Sequence, residues 1–163
     1  DYIDVGNPAS LQLTHPFTLE CWYQHDGAIP QIGFIAGKYD GTNKKGYRFI
    51  LYTNFILYFT TWDGTNYSEP EVSLAAYANK WVHLVGTHDG TTARLNLNGL
   101  LVSSTTTNAG MTNANLSSFF IGRQTPNEGS YLEGKVGEVR LYNRVLNAAE
   151  ILHNYNGTRG RYT

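Results

Sequence analysis

The sequence predicts an all-β fold, two antiparallel sheets packed as a sandwich, with one short C-terminal helix. Three observations predict it. Apolar residues recur at every second position in at least six segments, the period of a half-buried strand and not of a helix face. Polar knots punctuate those segments, among them Asp89-Gly90 and Asn98-Gly99. An Asp-Gly or Asn-Gly pair between alternating runs is a hairpin signal, because glycine accepts the positive φ that the turn demands. The composition also fits strands with one wet face: 41% hydrophobic residues, with 12 Tyr and 17 Gly in 163 residues.

The clearest stretch is Trp81 to Val102, which reads strand, turn, strand, turn, strand. Strands with one apolar face are not stable alone, so a second sheet must cover Leu84, Leu95 and Leu97. The other segments supply it. Tyr2 to Gly6 reads as an N-terminal strand before Asn7-Pro8. Phe17, Leu19, Cys21 and Tyr23 share one face of the next strand, with Thr18, Glu20 and Trp22 on the other. Ile32, Phe34 and Ile35, followed by Ala36-Gly37-Lys38-Tyr39, mark a third strand, and Asp40 to Gly46 is a loop by composition. Tyr47, Phe49 and Leu51 then point one way, with Arg48, Ile50 and Tyr52 opposed. The return strand has Leu57 and Phe59 inward and Ile56, Tyr58, Thr60 and Trp62 outward.

A polar loop from Asp63 to Pro70 leads to Val72, Leu74 and the central meander. Residues 103–118 read as loop, with Thr105 to Thr107 able to extend the strand before it. Phe119 to Ile121 and Lys135 to Tyr142 are the last strands. Asn147 and Glu150 have the capping-box spacing, which starts a helix that Gly157 should stop near Tyr155.

Length and composition bound the function. The chain, 1–163, fits one domain with one core. A net charge of −1 without a basic cluster beyond Lys44-Lys45 argues against nucleic acid. No apolar run reaches the ~20 residues of a membrane span, so no membrane partner is expected. Cys21, the single cysteine, permits no intrachain disulfide and reads as a small core residue.

Four stretches carry a family resemblance: YIDVGNPASLQL, FTLECWYQ, KWVHLVGTHDGTTARLNLNG and FIGRQTPNEGSYLEGKVGEVRLYNRVLNAAEI. In this order they resemble the laminin-G-like branch of the concanavalin A-like lectin/glucanase superfamily. The resemblance implies a jelly-roll sandwich with its first and last strands adjacent. Lectins, carbohydrate-binding modules, adhesins and hydrolases all use that sandwich, so it specifies no single function.

Hydrolysis of a glycoside needs two carboxyls about 5–5.5 Å or 6.5–9.5 Å apart. The acidic pair Glu133 and Glu138 has an odd separation that projects to opposite faces of one strand, with no Asp between. No GxSxG elbow or HExxH spacing is present. An enzyme is therefore not expected. The resemblance implies calcium, held by hard oxygen ligands. Its usual position, an Asp directly before the Glu of the last strand, is Gly137 here, so no cofactor is expected, with a structural calcium held through backbone carbonyls as the alternative.

Sugar recognition needs flat rings to stack on pyranose C–H faces and polar groups to orient hydroxyls. The ligand-binding candidates are Trp62 and Tyr67 with Asp63 and Asn66, backed by Tyr52, Tyr58 and Arg48. Trp22 and Glu20, and the far-loop residues Tyr131, Arg123 and Asn127, are weaker candidates. The function read from this set is a non-catalytic carbohydrate-binding module of a larger extracellular or surface protein, tethered to other domains. Its partner would be an oligosaccharide or polysaccharide. The alternative is a structural or host-adhesion domain of a virion fibre or cell-surface protein. An outward Trp62 at the binding surface implies that Trp62→Ala weakens binding and leaves the melting curve nearly unchanged.

Overall fold

The structure is a computed structural model that describes residues 1–28, 31–106, 116–124 and 131–163. Among these, twelve strands form two antiparallel sheets. One sheet holds β1 (Ile3–Gly6), β11 (Phe119–Ile121), β3 (Gly33–Asp40), β4 (Lys45–Leu51), β5 (Ile56–Asp63) and β6 (Tyr67–Ser68) in that order, and β7 (Glu71–Ser73) also pairs with β5. The other runs β10 (Leu100–Thr106), β9 (Thr92–Leu97), β8 (Val82–His88), β2 (Phe17–Gln24) and β12 (Lys135–Tyr142).

The core lies between them. Phe17, Leu19, Cys21 and Tyr23 of β2 join Leu84, Leu95 and Leu97, and they meet Tyr47, Phe49, Leu51, Leu57 and Phe59 of the facing sheet. The alternation therefore selects the inner face as the sequence predicts. Gly86 of β8 leaves the room that the Phe59 ring fills.

Four expectations need correction. β3 runs through Lys38 and one residue beyond the expected end at Tyr39, to Asp40, pairing with Lys45 to Leu51. Its loop shrinks to residues 41–44, because Asp40 Oδ1 accepts from the backbone N–H groups of Thr42 (2.9 Å) and Asn43 (3.1 Å) and closes a tight turn. The first and last strands are not adjacent, since β1 pairs with β11 and β12 pairs with β2 in the opposite sheet. Glu133 lies outside β12: Gly134 at φ +119° turns the chain before it, and a bulge between Val136 and Val139 resets the register. Finally, β10 takes Ser103 to Thr106 out of the expected loop, and residues 107–115 lie outside the described set.

The capping box forms as expected. Glu150 N–H donates to Asn147 Oδ1 at 3.0 Å, and Asn147 N–H donates to Glu150 Oε2 at 2.8 Å. Helix α1 nevertheless spans Ala148–Thr158, passing through Gly157. What holds the extra turn is Thr158, whose Oγ1 donates to the Asn154 carbonyl (2.7 Å) and accepts from Nε1 of Trp22 (3.0 Å). Tertiary anchoring outweighs glycine's helix cost of about 1 kcal/mol.

This helix covers the outer face of the five-stranded sheet. Trp22, 3% exposed, stacks on Tyr162 at 4.5 Å and Tyr155 at 5.8 Å between centroids. Glu20 beside it is buried under hydrogen bonds from Arg140, Tyr142 and Asn154. Both weaker candidates on β2 are thus packing residues. Val85, Leu146 and Ile151 complete a small second core beneath α1. The outer face of the seven-stranded sheet carries no helix among the described residues, though its centre is buried at Phe34, Ile50 and Thr60.

Candidate functional site

Register places Trp62, Tyr67, Arg48 and Tyr58 on that one face. Trp62 lies opposite Gly46 of β4, which lies opposite Tyr39 of β3. Gly46 has no side chain, so the rings of Tyr39 and Trp62 meet across it with centroids 6.5 Å apart. Tyr67, opposite Trp62 on β6, completes the row at 5.3 Å. Lys44, in the left-handed region at φ 52° in the tight turn, carries its Nζ to 5.1 Å from the Trp62 ring. A cation over an indole face is worth about 0.5–1 kcal/mol at such a site.

Trp62 faces outward but is only half accessible. It packs against the outer-face cluster of Phe34, Tyr39 and Phe120. Its Nε1–H is buried and finds no acceptor among the described residues. Tyr67 is exposed and Trp62 half-buried, so the two together present the wettest aromatic surface of the row.

Asp63 and Asn66 lie beside the rings, where they build the loop. Asp63 Oδ1 accepts from the N–H groups of Thr65 (2.8 Å) and Asn66 (2.7 Å), and Oδ2 accepts from Asn66 Nδ2 at 3.3 Å. Partial burial works against the Asp63 carboxylate, but the Asn66 and Thr65 donors and nearby Lys45 outweigh it and hold its pKa below the usual range. Its charge is directed at the turn, which fixes the position of Tyr67.

A second row crosses the middle of the face, Phe120, Gly37, Arg48 and Thr60. Gly37 again leaves a gap, and the guanidinium of Arg48 lies 3.8 Å from the Tyr39 ring centre. Arg48 also donates to Gln124 Oε1 and is 8% exposed. It reads as a strut beneath the aromatic row, while Phe34, Ile50 and Thr60 close the centre of the face.

The third row holds Tyr58 opposite Glu71, with Tyr52 edge-on to the Tyr58 ring at 5.2 Å and 71°. Partial burial and a hydrogen bond to Glu71 push the Tyr58 hydroxyl pKa up. Tyr58 and Trp62 are four residues apart, roughly 13 Å along β5. The structure therefore puts Trp62, Tyr67, Arg48, Tyr58 and Tyr52 on one face in separate rows, while Asp63 and Asn66 are taken up in the turn at its end.

Sequence reasoning missed four contributors: Tyr39, Lys44, Glu69 and Glu71. Glu69 accepts from Thr60 Oγ1 at 3.2 Å. Its signal was the Glu-Pro-Glu run after the polar loop, whose even spacing puts both carboxylates on one side. Of the far-loop candidates, Arg123 and Tyr131 form an isolated antiparallel bridge at the other end of the sheet. Asn127 lies outside the described residues.

At the family's calcium position a carboxylate side chain does not fit. A Cβ on Gly137 would come 2.5 Å from Cε1 of Tyr162, whose hydroxyl accepts from the Glu138 N–H at 2.9 Å. The Tyr162 ring occupies the space that an aspartate would need. Among the described residues there is also no group of three or more His, Cys, Asp or Glu side chains arranged to hold a metal. A groove of about 440 Å³ beside the first turn of α1 lies on the opposite side of the molecule and is lined by the Arg144–Glu150 ion pair.

The fold has known counterparts. The binding domain of botulinum neurotoxin serotype D superposes with a TM-score of 0.72 at 12% identity, covering 96% of this chain and 40% of that one. The binding domain of serotype D/C gives 0.66 at 18%, covering 87% and 36%. A Trypanosoma rangeli sialidase gives 0.67 at 21%, covering 91% and 24%. The chain thus spans well under half the length of each. No curated protein sequence matches it. The family model described as the concanavalin A-like lectin/glucanases superfamily, of laminin-G type, matches residues 1–152, and with nearly the whole sandwich inside that match the chain belongs to this family.

Proposed function

We propose that this domain is a non-catalytic carbohydrate-binding module, acting at the cell surface or outside it within a larger protein. The observation that carries the reading is the Tyr39–Trp62–Tyr67 row with Lys44 over the indole, on the sheet face that the helix leaves free. Tyr67 and the accessible part of Trp62 offer a stacking surface for a sugar's C–H face. Glu69 and Glu71, on the segment from β6 into β7 that runs beside β5, supply acceptors for hydroxyls, and the Tyr52–Tyr58 pair gives a longer oligosaccharide a second contact.

The neighbours' descriptions are consistent with a receptor-binding sandwich. One is a neurotoxin binding domain in complex with rat synaptotagmin II and another is a sialidase. At such identities that likeness carries the fold, and the support for glycan binding is the aromatic face itself. Hydrolysis is disfavoured because Glu138 is taken up by Arg140 at 2.8 Å and Glu133 lies off the strand. A glycan array probed with the domain is the direct test. Binding that falls in Tyr67→Ala supports the reading. Absence of binding to any glycan favours the host-adhesion alternative.

A further inference from the structure

Arg123 is one of two buried arginines among the described residues. It follows Gly122, whose φ of +84° turns the chain off β11, and it is 9% exposed. Its guanidinium carbon lies 5.0 Å from the ring centre of Tyr2 and 5.0 Å from that of Tyr131. Those two rings are 46% and 44% exposed. Nε of Arg123 is buried and has no acceptor among the described residues.

Of the other arginines, Arg48 donates to Gln124 Oε1 and lies against Tyr39, and Arg159 lies over Tyr155. Arg94, Arg140, Arg144 and Arg161 each lie within 4 Å of a carboxylate. Among the described residues no carboxylate pairs with Arg123. Asp4 shares the same sheet edge, opposite Phe120, but its Oδ1 accepts from the Gly6 N–H at 2.8 Å. A desolvated cation without a counter-charge is costly, and two ring contacts offset only part of that. An anion arriving from solution would complete the arrangement.

We propose that Arg123, Tyr2 and Tyr131 form a second subsite that takes the carboxylate of an acidic sugar; this rests on the glycan-binding reading above. The planar fork of a guanidinium matches a carboxylate with two parallel hydrogen bonds, and the flanking rings fix its plane. The same rings, each nearly half accessible, offer a stacking face to the sugar that bears the acid. The subsite stands three strands from Trp62, across β3 and β4, and at the other end of those strands. It is thus a separate contact and not part of the Trp62 row.

The test is a glycan array of sialylated, uronic-acid, sulfated and neutral glycans, followed by titration of wild type with sialyllactose and with its methyl ester. Carboxylate-bearing glycans should be bound, and esterification should weaken sialyllactose roughly tenfold or more, the loss of one charge-assisted contact. Arg123→Gln and Arg123→Lys should show the same loss for acidic glycans and keep binding to neutral ones. Equal affinity for the acid and its ester overturns the proposal without any variant having to fold. So does binding confined to neutral or to sulfated glycans, and in both of these cases the glycan-binding reading survives. Silence across the whole array overturns both.

Discussion

Asn154 of α1 donates from Nδ2 to Oε2 of Glu20 at 2.9 Å, joining residues 134 positions apart. The same carboxylate takes His83 Nε2 at 3.0 Å, Arg140 Nη1 at 3.0 Å and the Tyr142 hydroxyl at 3.2 Å. Burial opposes the Glu20 charge, but His83, Asn154 and Arg140 outweigh it and hold its pKa below the usual carboxylate range. Glu20→Ala leaves these partners buried without their acceptor and should cost about 3–5 kcal/mol in urea unfolding. A cost under about 1 kcal/mol would mean that the helix is held by apolar packing alone.

Removal of the helix after Asn147 should be destabilising too, because Trp22, Val85 and Leu146 would lose their cover. The readout is the urea midpoint. An unchanged midpoint would make the helix an independent appendage.

The stability of the sandwich should fall with mild acid. The rings of His15 and His88 lie against each other with centroids 3.9 Å apart, tilted by 35°. Burial, and then the neighbouring imidazole, lowers the His88 pKa to about 3; burial lowers His15 as well. Asp89 opposes both shifts, and Arg94 adds to that on His88. The folded state thus binds these protons less well than the unfolded chain, whose histidines titrate near 6.5. The contribution is full above pH 6.5 and is lost as pH falls from there toward 3, by roughly 2 kcal/mol from His88 alone between pH 6.5 and 5. Urea midpoints across that range should fall, and His88→Phe should flatten the slope. A flat wild-type profile would rule out a neutral pair.

Gly90 sits at φ +106° between β8 and β9, and a Cβ there would meet only the His15 Cβ, at 3.6 Å. Space is available, so the cost of Gly90→Val is backbone strain, on the order of 1–2 kcal/mol. An unchanged melting temperature would show that the turn relaxes to another type.

Trp62→Ala should weaken binding to an array-selected oligosaccharide by roughly thirtyfold, the loss of about 2 kcal/mol at a stacking anchor. The packing of Trp62 against Tyr39 revises the expectation of an unchanged melting curve: truncation should also lower stability, by about 1–3 kcal/mol. Titration beside thermal unfolding separates the two effects, and Trp62→Phe should keep most of both. Wild-type affinity in a folded Trp62→Ala protein would move the site to Tyr52 and Tyr58.

Which faces are buried was legible in the chain because period two is a local property: Phe17 to Tyr23 and Tyr47 to Leu51 could be sorted without knowing their partners. Pairing is not local. That β12 lies beside β2 depends on Arg140 and Tyr142 meeting Glu20, a relation that no spacing encodes. The same holds for the site. Trp62 reads as outward, but the gap at Gly46 that lets it touch Tyr39 depends on the register of three strands. Gly157 misled for a related reason, since its local preference to end a helix yields to the bond between Trp22 and Thr158.

The unequal burial of the three tryptophans gives the protein a built-in optical reporter. Trp22 is sealed against Tyr162, whereas Trp62 and Trp81 are half accessible. An aqueous quencher such as iodide should therefore leave the blue-shifted emission of Trp22 and remove light from the other two. Trp81 lies against Tyr162 at the helix-covered sheet, so a sugar on the opposite face should protect Trp62 alone. The fraction of emission that a glycan rescues from iodide would then report occupancy directly, without a label.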